Sequence, residues 1–128
     1  MRGLTVHQPH ANAILYYGKD IENRSRCMNI RGTIALHAGL QFDDGVYFPE
    51  NFKAQIVRGA IIGVVDILNC VDEYESKWFF GPFGYLLDNP RPLQKPIPCK
   101  GMLGFWSVPA KIEKEILRQL KGSLRKFQ

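Results

Sequence analysis

The spacing of hydrophobic positions changes several times along the chain, and each change marks an element. Leu4 and Val6 alternate with polar neighbours between Gly3 and His7, which predicts a first strand. Gln8-Pro9 interrupts the alternation, and Ala11, Ile14 and Leu15 then fall at helical spacing. A short helix is expected to open at the proline, whose missing N–H costs nothing in a first turn. Gly18 suits its C-terminal stop. Residues 19–24 read as a turn and a short strand around Ile21, with Asp20, Glu22 and Arg24 on one face and Lys19 on the turn before it. Arg31-Gly32 is a turn and Thr33 to His37 a buried strand. Residues 41–50 read as a polar loop and residues 51–57 as a short helix before Gly59.

The run from Ala60 to Val71 (AIIGVVDILNCV) is β-branched and nearly continuous, which predicts a long strand bent at Gly63. A charged loop, residues 72–77, leads to Trp78-Phe79-Phe80-Gly81-Pro82. Phe83 to Leu87 reads as a further strand. Pro90, Pro92, Pro96 and Pro98 then predict an extended crossing that takes no central place in a sheet. Leu103 to Val108 completes the strands, and Pro109 starts a last helix with Ile112, Ile116, Leu117, Leu120 and Leu124 on one apolar face. Many short strands, few helices and many turn residues predict a mixed α+β fold: a small, mostly antiparallel barrel with helices packed at its ends.

Length and composition narrow this little. A chain of 128 residues is expected to be one domain, 1–128, with 109–128 as a C-terminal basic amphipathic helix. No apolar run approaches the roughly 20 residues of a membrane helix, and the N-terminus has no export signal, so no membrane partner is expected. Cys27, Cys70 and Cys99 are widely spaced and odd in number, which suggests reduced thiols in a cytoplasmic protein. Charge is more informative. From Pro109 onward, Lys111, Lys114, Arg118, Lys121, Arg125 and Lys126 outweigh Glu113 and Glu115, placing +4 of the formal +5 on the last helix. Such a face either attracts a polyanion or simply keeps the protein solvated.

Five stretches, in order, resemble the ASCH domain, a member of the PUA-like group of small β-barrels. They are HQPHA with Gln8 and Pro9; Gly18-Lys19-x-x-Glu22-x-Arg24; Arg31-Gly32 with the strand ending His37-Ala38; RGAIIGVVD from Arg58 to Asp66; and Asn89-Pro90 with Pro98 to Lys100 and Trp106. The likeness runs from Leu4 to about Val108 and is greatest to the branch found in transcription coactivators and in free-standing bacterial and phage proteins. It implies a PUA-like barrel that binds nucleic acid, mostly RNA, in a cleft between the first helix and the barrel. Some small relatives hydrolyse acylated cytidine and others are nucleases. His10 stands where this branch usually carries tryptophan. In the cytidine-amide hydrolases the residue matching Lys19 is catalytic. Glu22 replaces their threonine, and Glu73 or Glu75 would stand for their glutamate.

The residues themselves point the same way. A lysine, a carboxylate and a guanidinium beside a cleft grip a phosphate or a polarised carbonyl through charge-assisted hydrogen bonds, or else form an ion-pair network that pins strand to helix. Lys19, Glu22 and Arg24 are that set. His7 and His10 straddle a strand-to-helix junction with no completing ligand in sequence, so no metal site and no cofactor are expected. His37 ends a buried strand and reads as a satisfied histidine close to the cleft. Trp78-Phe79-Phe80 suits either stacking on bases or core packing, with Trp78 expected as the exposed ring.

The reading is therefore an RNA or modified-nucleoside binder, with single-stranded DNA as a further partner, that uses Gln8, His10, Lys19, Glu22, Arg24, His37 and Trp78. The alternative is a hydrolase, either an N4-acylcytidine amidohydrolase or a metal-dependent ribonuclease, in which Lys19, Glu22 and Glu73 carry the chemistry. A protein-binding module that has lost its ligand is the third class. Nothing in the sequence decides the oligomeric state.

Overall fold

A computed structural model describes residues 1–45 and 56–125, and among these residues there are six strands and two helices. The strands are β1 (Arg2–Gln8), β2 (Ile21–Arg24), β3 (Gly32–Phe42), β4 (Ala60–Val71), β5 (Phe83–Pro98) and β6 (Phe105–Ser107). Helix α1 (His10–Tyr16) follows β1, and helix α2 (Ala110–Arg125) follows β6. The expected helix over residues 51–57 falls mostly outside the described residues; Val57 itself is irregular.

The strands form a single sheet in the order β2-β5-β4-β3-β1-β6. Among the described residues only β1 and β3 pair in parallel, with Leu4 opposite Leu36; the other ladders are antiparallel. The expected barrel is not closed by a ladder, because β2 and β6 remain edges. The sheet instead curls until its outer strands meet through side chains. The Arg24 guanidinium of β2 donates to the Thr5 carbonyl of β1 at 3.0 Å. Tyr85 of β5 meets Phe105 of β6 edge-on, with ring centroids 5.4 Å apart.

Strand β4 is apolar from Ala60 to Val65 because both of its faces are covered there. Ile62, Val65 and Ile67 join a cluster with Leu4, Val6, Ile14, Leu15 and Leu36, while Ile61 and Val64 join another with Trp106, Val108 and Ile116. At Gly63 the ladders to both neighbours slip. A side chain there would start 2.7 Å from Leu15 Cδ2 and 2.9 Å from the Arg91 carbonyl oxygen, so glycine is what lets α1 lie on the sheet.

Strand β5 corrects the expectation for the proline-rich stretch. Residues 83–98 form one strand that lies between β2 and β4. Strand β2 pairs only with its first part, Phe83 to Leu86, so the prolines fall where one side of β5 has no strand partner and a missing N–H breaks no ladder bond. Residues 93–96 also bulge out between the pairs Pro92–Gly63 and Ile97–Ile61. Gln119 of α2 accepts a hydrogen bond from the Lys95 N–H and donates to the Lys95 carbonyl, each at 3.0 Å, replacing the lost ladder bonds.

Two further expectations change. Leu117 of α2 is 46% exposed, so the buried stripe is carried by Ile116 with Ile112 and Leu120 against it. The side chain of Leu124 lies outside the described set. Cys27 and Cys70 are not both free thiols but form a disulfide, their Cα atoms 5.9 Å apart, because the segment after β2 crosses the end of β4. Cys99 is free, and burial raises its thiol pKa. The disulfide withdraws the ground for inferring a reducing compartment. Among the described residues, no helix is long and apolar enough to cross a membrane.

Candidate functional site

The end of β1, helix α1 and strand β2 converge on one cavity, and the local sequence explains the convergence. Gln8 stays fully buried and turns its amide onto the helix it precedes. Its Oε1 accepts the Asn12 N–H (3.0 Å), and its Nε2 donates to Asn12 Oδ1 (2.8 Å) and to the Val57 carbonyl (3.0 Å). This satisfies a backbone donor that a first helical turn otherwise leaves unpaired. It also sets His10 as the first residue of α1, at the cavity wall. At the other end, the Tyr17 and Lys19 N–H groups both donate to the Ala13 carbonyl, and Gly18 turns the chain at a φ of 74°. Lys19 is thereby directed back beneath α1.

Lys19 is 4% exposed. Its Nζ donates to His10 Nδ1 at 2.8 Å, so in the neutral ring the proton sits on Nε2. That nitrogen faces Asp43 Oδ2 at 3.2 Å, and Asp43 Oδ1 faces His7 Nδ1 at 3.1 Å. On the other side, Glu22 Oε1 lies 3.9 Å from Lys19 Nζ, while Glu22 Oε2 accepts from Arg24 Nη2 at 2.9 Å. Burial lowers the Lys19 pKa from its ordinary value, with Glu22 and Asp43 opposing the shift. Burial, and then the charge of Lys19, lowers that of His10. The Arg24 Nε is buried with no hydrogen-bond partner among the described residues.

These groups line a cavity of about 350 Å³ bounded also by Thr5, Val6, Asn23 and Phe80. That volume lies within the roughly 300–1,000 Å³ of small-molecule sites. Its rim is built by Asn23, whose Nδ2 donates to the Trp78 carbonyl (2.9 Å) and whose Oδ1 accepts the Phe80 (2.8 Å) and Gly81 (3.2 Å) N–H groups. Asn23 thus fastens the loop backbone on both sides of Phe79 to β2. Phe80 is 79% exposed beside the cavity.

No family model matches the chain. It is 25% identical over 148 residues to Activating signal cointegrator 1 of Homo sapiens, an alignment covering 93% of this chain and 25% of that protein. The chain therefore spans about a quarter of that relative's length. ASCH from Zymomonas mobilis matches in shape with a TM-score of 0.59 at 13% identity, covering 91% of this chain and 93% of that one. A tyrosine-to-phenylalanine mutant of it reaches 0.62 at 13% identity, covering 91% and 96%. The fold is that of an ASCH domain.

Within this ASCH fold the expected site residues divide. His10, Lys19, Glu22 and Arg24 come together at the cavity. Gln8 does not face it, since its amide is spent on the helix start. His37 is buried outside it: its Nε2 bonds the Cys99 carbonyl (2.7 Å), and its Nδ1 bonds Thr5 Oγ1 (3.2 Å), which itself accepts from Trp106 Nε1 (3.1 Å). Trp78 is half-buried, with Lys77 Nζ 5.0 Å and Lys19 Nζ 5.9 Å from its ring, so Phe80 rather than Trp78 is the exposed aromatic. Asp20 leaves the charged set altogether; it accepts the Tyr74 hydroxyl (2.9 Å) and the Ser76 hydroxyl (3.3 Å) and so ties down the neighbouring loop. Glu73 and Glu75 are exposed and do not line the cavity.

Sequence reasoning missed Asp43, Asn23 and Thr5. Asp43 follows β3 in a stretch without a motif, and only the pairing of β3 with β1 carries it to His7 and His10. Asn23 sits between two charges that drew the attention. Among the described residues, no group of three or more His, Cys, Asp or Glu is arranged to hold a metal ion.

Proposed function

We propose that this ASCH-fold chain binds single-stranded RNA and seats one nucleotide, standard or modified, in the cavity between α1 and β2. The observation that carries the reading is the meeting of Lys19, His10, Glu22 and Arg24 around a nucleotide-sized space with the exposed Phe80 ring at its edge. A base edge needs both donors and acceptors; Lys19 and Arg24 donate, and Glu22 accepts. Phe80 offers a stacking face, which favours a splayed-out base over a duplex. The basic residues of α2 add attraction to the phosphate backbone that weakens with salt.

Fluorescence anisotropy with short single-stranded RNA at several salt concentrations tests it, with DNA of the same sequence as comparison. Lys19→Ala and Arg24→Ala are expected to weaken binding together. Unchanged affinity in both folded variants removes the cavity from the argument.

One observation favours a second reading, hydrolysis of N4-acylated cytidine. Burial lowers the Lys19 amine pKa from its ordinary value, which is the direction a general base needs. In that role the amine takes a proton from water as the oxygen adds to the acyl carbonyl. The proton then passes to the departing N4, leaving cytidine and a carboxylic acid, which loses its proton to solvent. Wild type is expected to release cytidine from N4-acetylcytidine; turnover no higher than that of Lys19→Ala ends this version.

A further inference from the structure

We infer that Arg2, Arg24 and Arg26 form a phosphate subsite beside the nucleotide cavity, so that the ligand is a nucleic-acid strand rather than a free nucleoside. The inference rests on the proposed function only for what fills the neighbouring cavity. The arginines line a second space of about 410 Å³, bounded also by Tyr85, Phe105 and Leu103, with no carboxylate in its wall. Among the described residues, neither Arg2 nor Arg26 forms an ion pair. Arg24 borders both spaces, and only its Nη2 is engaged by Glu22 and the Thr5 carbonyl. Its Nε is the buried donor with no partner. Three guanidinium groups around one space without a carboxylate suit a phosphate oxygen, the anion that their fork geometry matches best.

The subsite is also held in place. Arg26 precedes Cys27, which the disulfide anchors to Cys70 at the end of β4. The Met28 N–H donates to the Tyr85 hydroxyl at 2.6 Å, which leaves that hydroxyl a proton to give. Arg2 comes from the start of β1, paired opposite Ser107. Curling of the sheet brings these sequence-distant positions together. A strand whose base enters the first cavity would then place an adjacent phosphate under Arg24.

Two measurements test this. In the first, inorganic phosphate is titrated into the protein while the arginine Nε–H resonances are followed by NMR. The Arg24 signal is expected to move in wild type, and most of that response should vanish in the double variant Arg2→Ala/Arg26→Ala. Both replaced side chains are exposed, and thermal melting checks that the fold survives. A still Arg24 signal, or an equal response in the double variant, overturns the subsite whatever RNA does. In the second, anisotropy with short single-stranded RNA is expected to show about tenfold weaker binding by the double variant. Its salt slope should be shallower by about 0.7, one phosphate's share on a single strand. Phosphate binding without any loss of RNA affinity would overturn the strand assignment. A wild type that takes phosphate but binds no RNA would sink the proposed function and leave an arginine phosphate site.

Discussion

Lys19 Nζ lies 2.8 Å from His10 Nδ1, an amine donating to an imidazole inside a largely buried pocket. The contact requires an unprotonated Nδ1, because an imidazolium would set two cations against each other. Asp43 on the far side of the ring keeps the remaining proton on Nε2. The pair thus links the first residue of α1 to the turn that ends it.

Acid should break this link. The His10 pKa is lowered from 6.5 in the folded protein, so below pH 6.5 the unfolded chain takes up the proton first. Stability is then lost as pH falls from 6.5 through the lower folded value. Melting temperatures of wild type and His10→Gln, compared by circular dichroism between about pH 7.5 and 5.5, should show wild type falling more steeply. Parallel curves would mean that His10 does not titrate within this link.

Glu22 is the carboxylate between two cations. Replacing it with glutamine removes the carboxylate that both Lys19 and Arg24 face in a mostly buried setting, leaving Asp43 as the remaining negative charge near Lys19. A fully buried pair broken on one side costs about 3–5 kcal/mol. Arg24 retains 29% exposure, so a loss of about 2–3 kcal/mol is expected for Glu22→Gln. Urea denaturation with an unchanged m-value would report it.

Asn23 and Phe80 separate architecture from contact. Asn23→Ala removes three hydrogen bonds to the loop and is expected to cost about 1–3 kcal/mol of stability, with weaker RNA binding as a consequence. Phe80→Ala, at an exposed ring, should change stability by less than about 0.5 kcal/mol. Its RNA affinity should nevertheless fall by the equivalent of about 1–3 kcal/mol, one stacked base. Thermal melts and anisotropy on the same two variants give the comparison.

Gly63 bears on the site without touching it. A methyl group there meets Leu15 and the Arg91 carbonyl oxygen, and the backbone oxygen cannot rotate away. Gly63→Ala is expected to destabilise by about 1–3 kcal/mol, as overpacking does. It should also displace α1 and so reduce RNA affinity. A variant as stable as wild type would show that α1 has room to shift.

Much of the architecture was legible in one dimension. The bounds of β4, the opening of α1 after Gln8-Pro9, the stop at Gly18 and the start of α2 after Pro109 all follow from period, proline and glycine. The proline-rich half of β5 was not, because proline rules out a ladder bond on one side only. Whether that side has a neighbour depends on how short β2 is. The exposed aromatic was misjudged for a similar reason. Trp78 and Phe80 both follow a charged loop, and which ring turns outward depends on contacts made only in the fold: Lys19 and Lys77 against the Trp78 ring, and Asn23 under the loop backbone.

Local chemistry along the chain determined which residues could be functional: a lysine, a glutamate and an arginine spaced to share one turn and one strand. Tertiary structure alone decided what they meet. Asp43, 24 residues from Lys19 in sequence, reaches His10 because β3 lies parallel to β1. Arg2 and Arg26 border one space because the sheet curls until its outer strands meet. The Cys27–Cys70 bridge spans 43 positions that no spacing rule connects. Periodicity records which way each side chain faces its own backbone, whereas the partner it meets is set by the register and curvature of strands far apart in the chain.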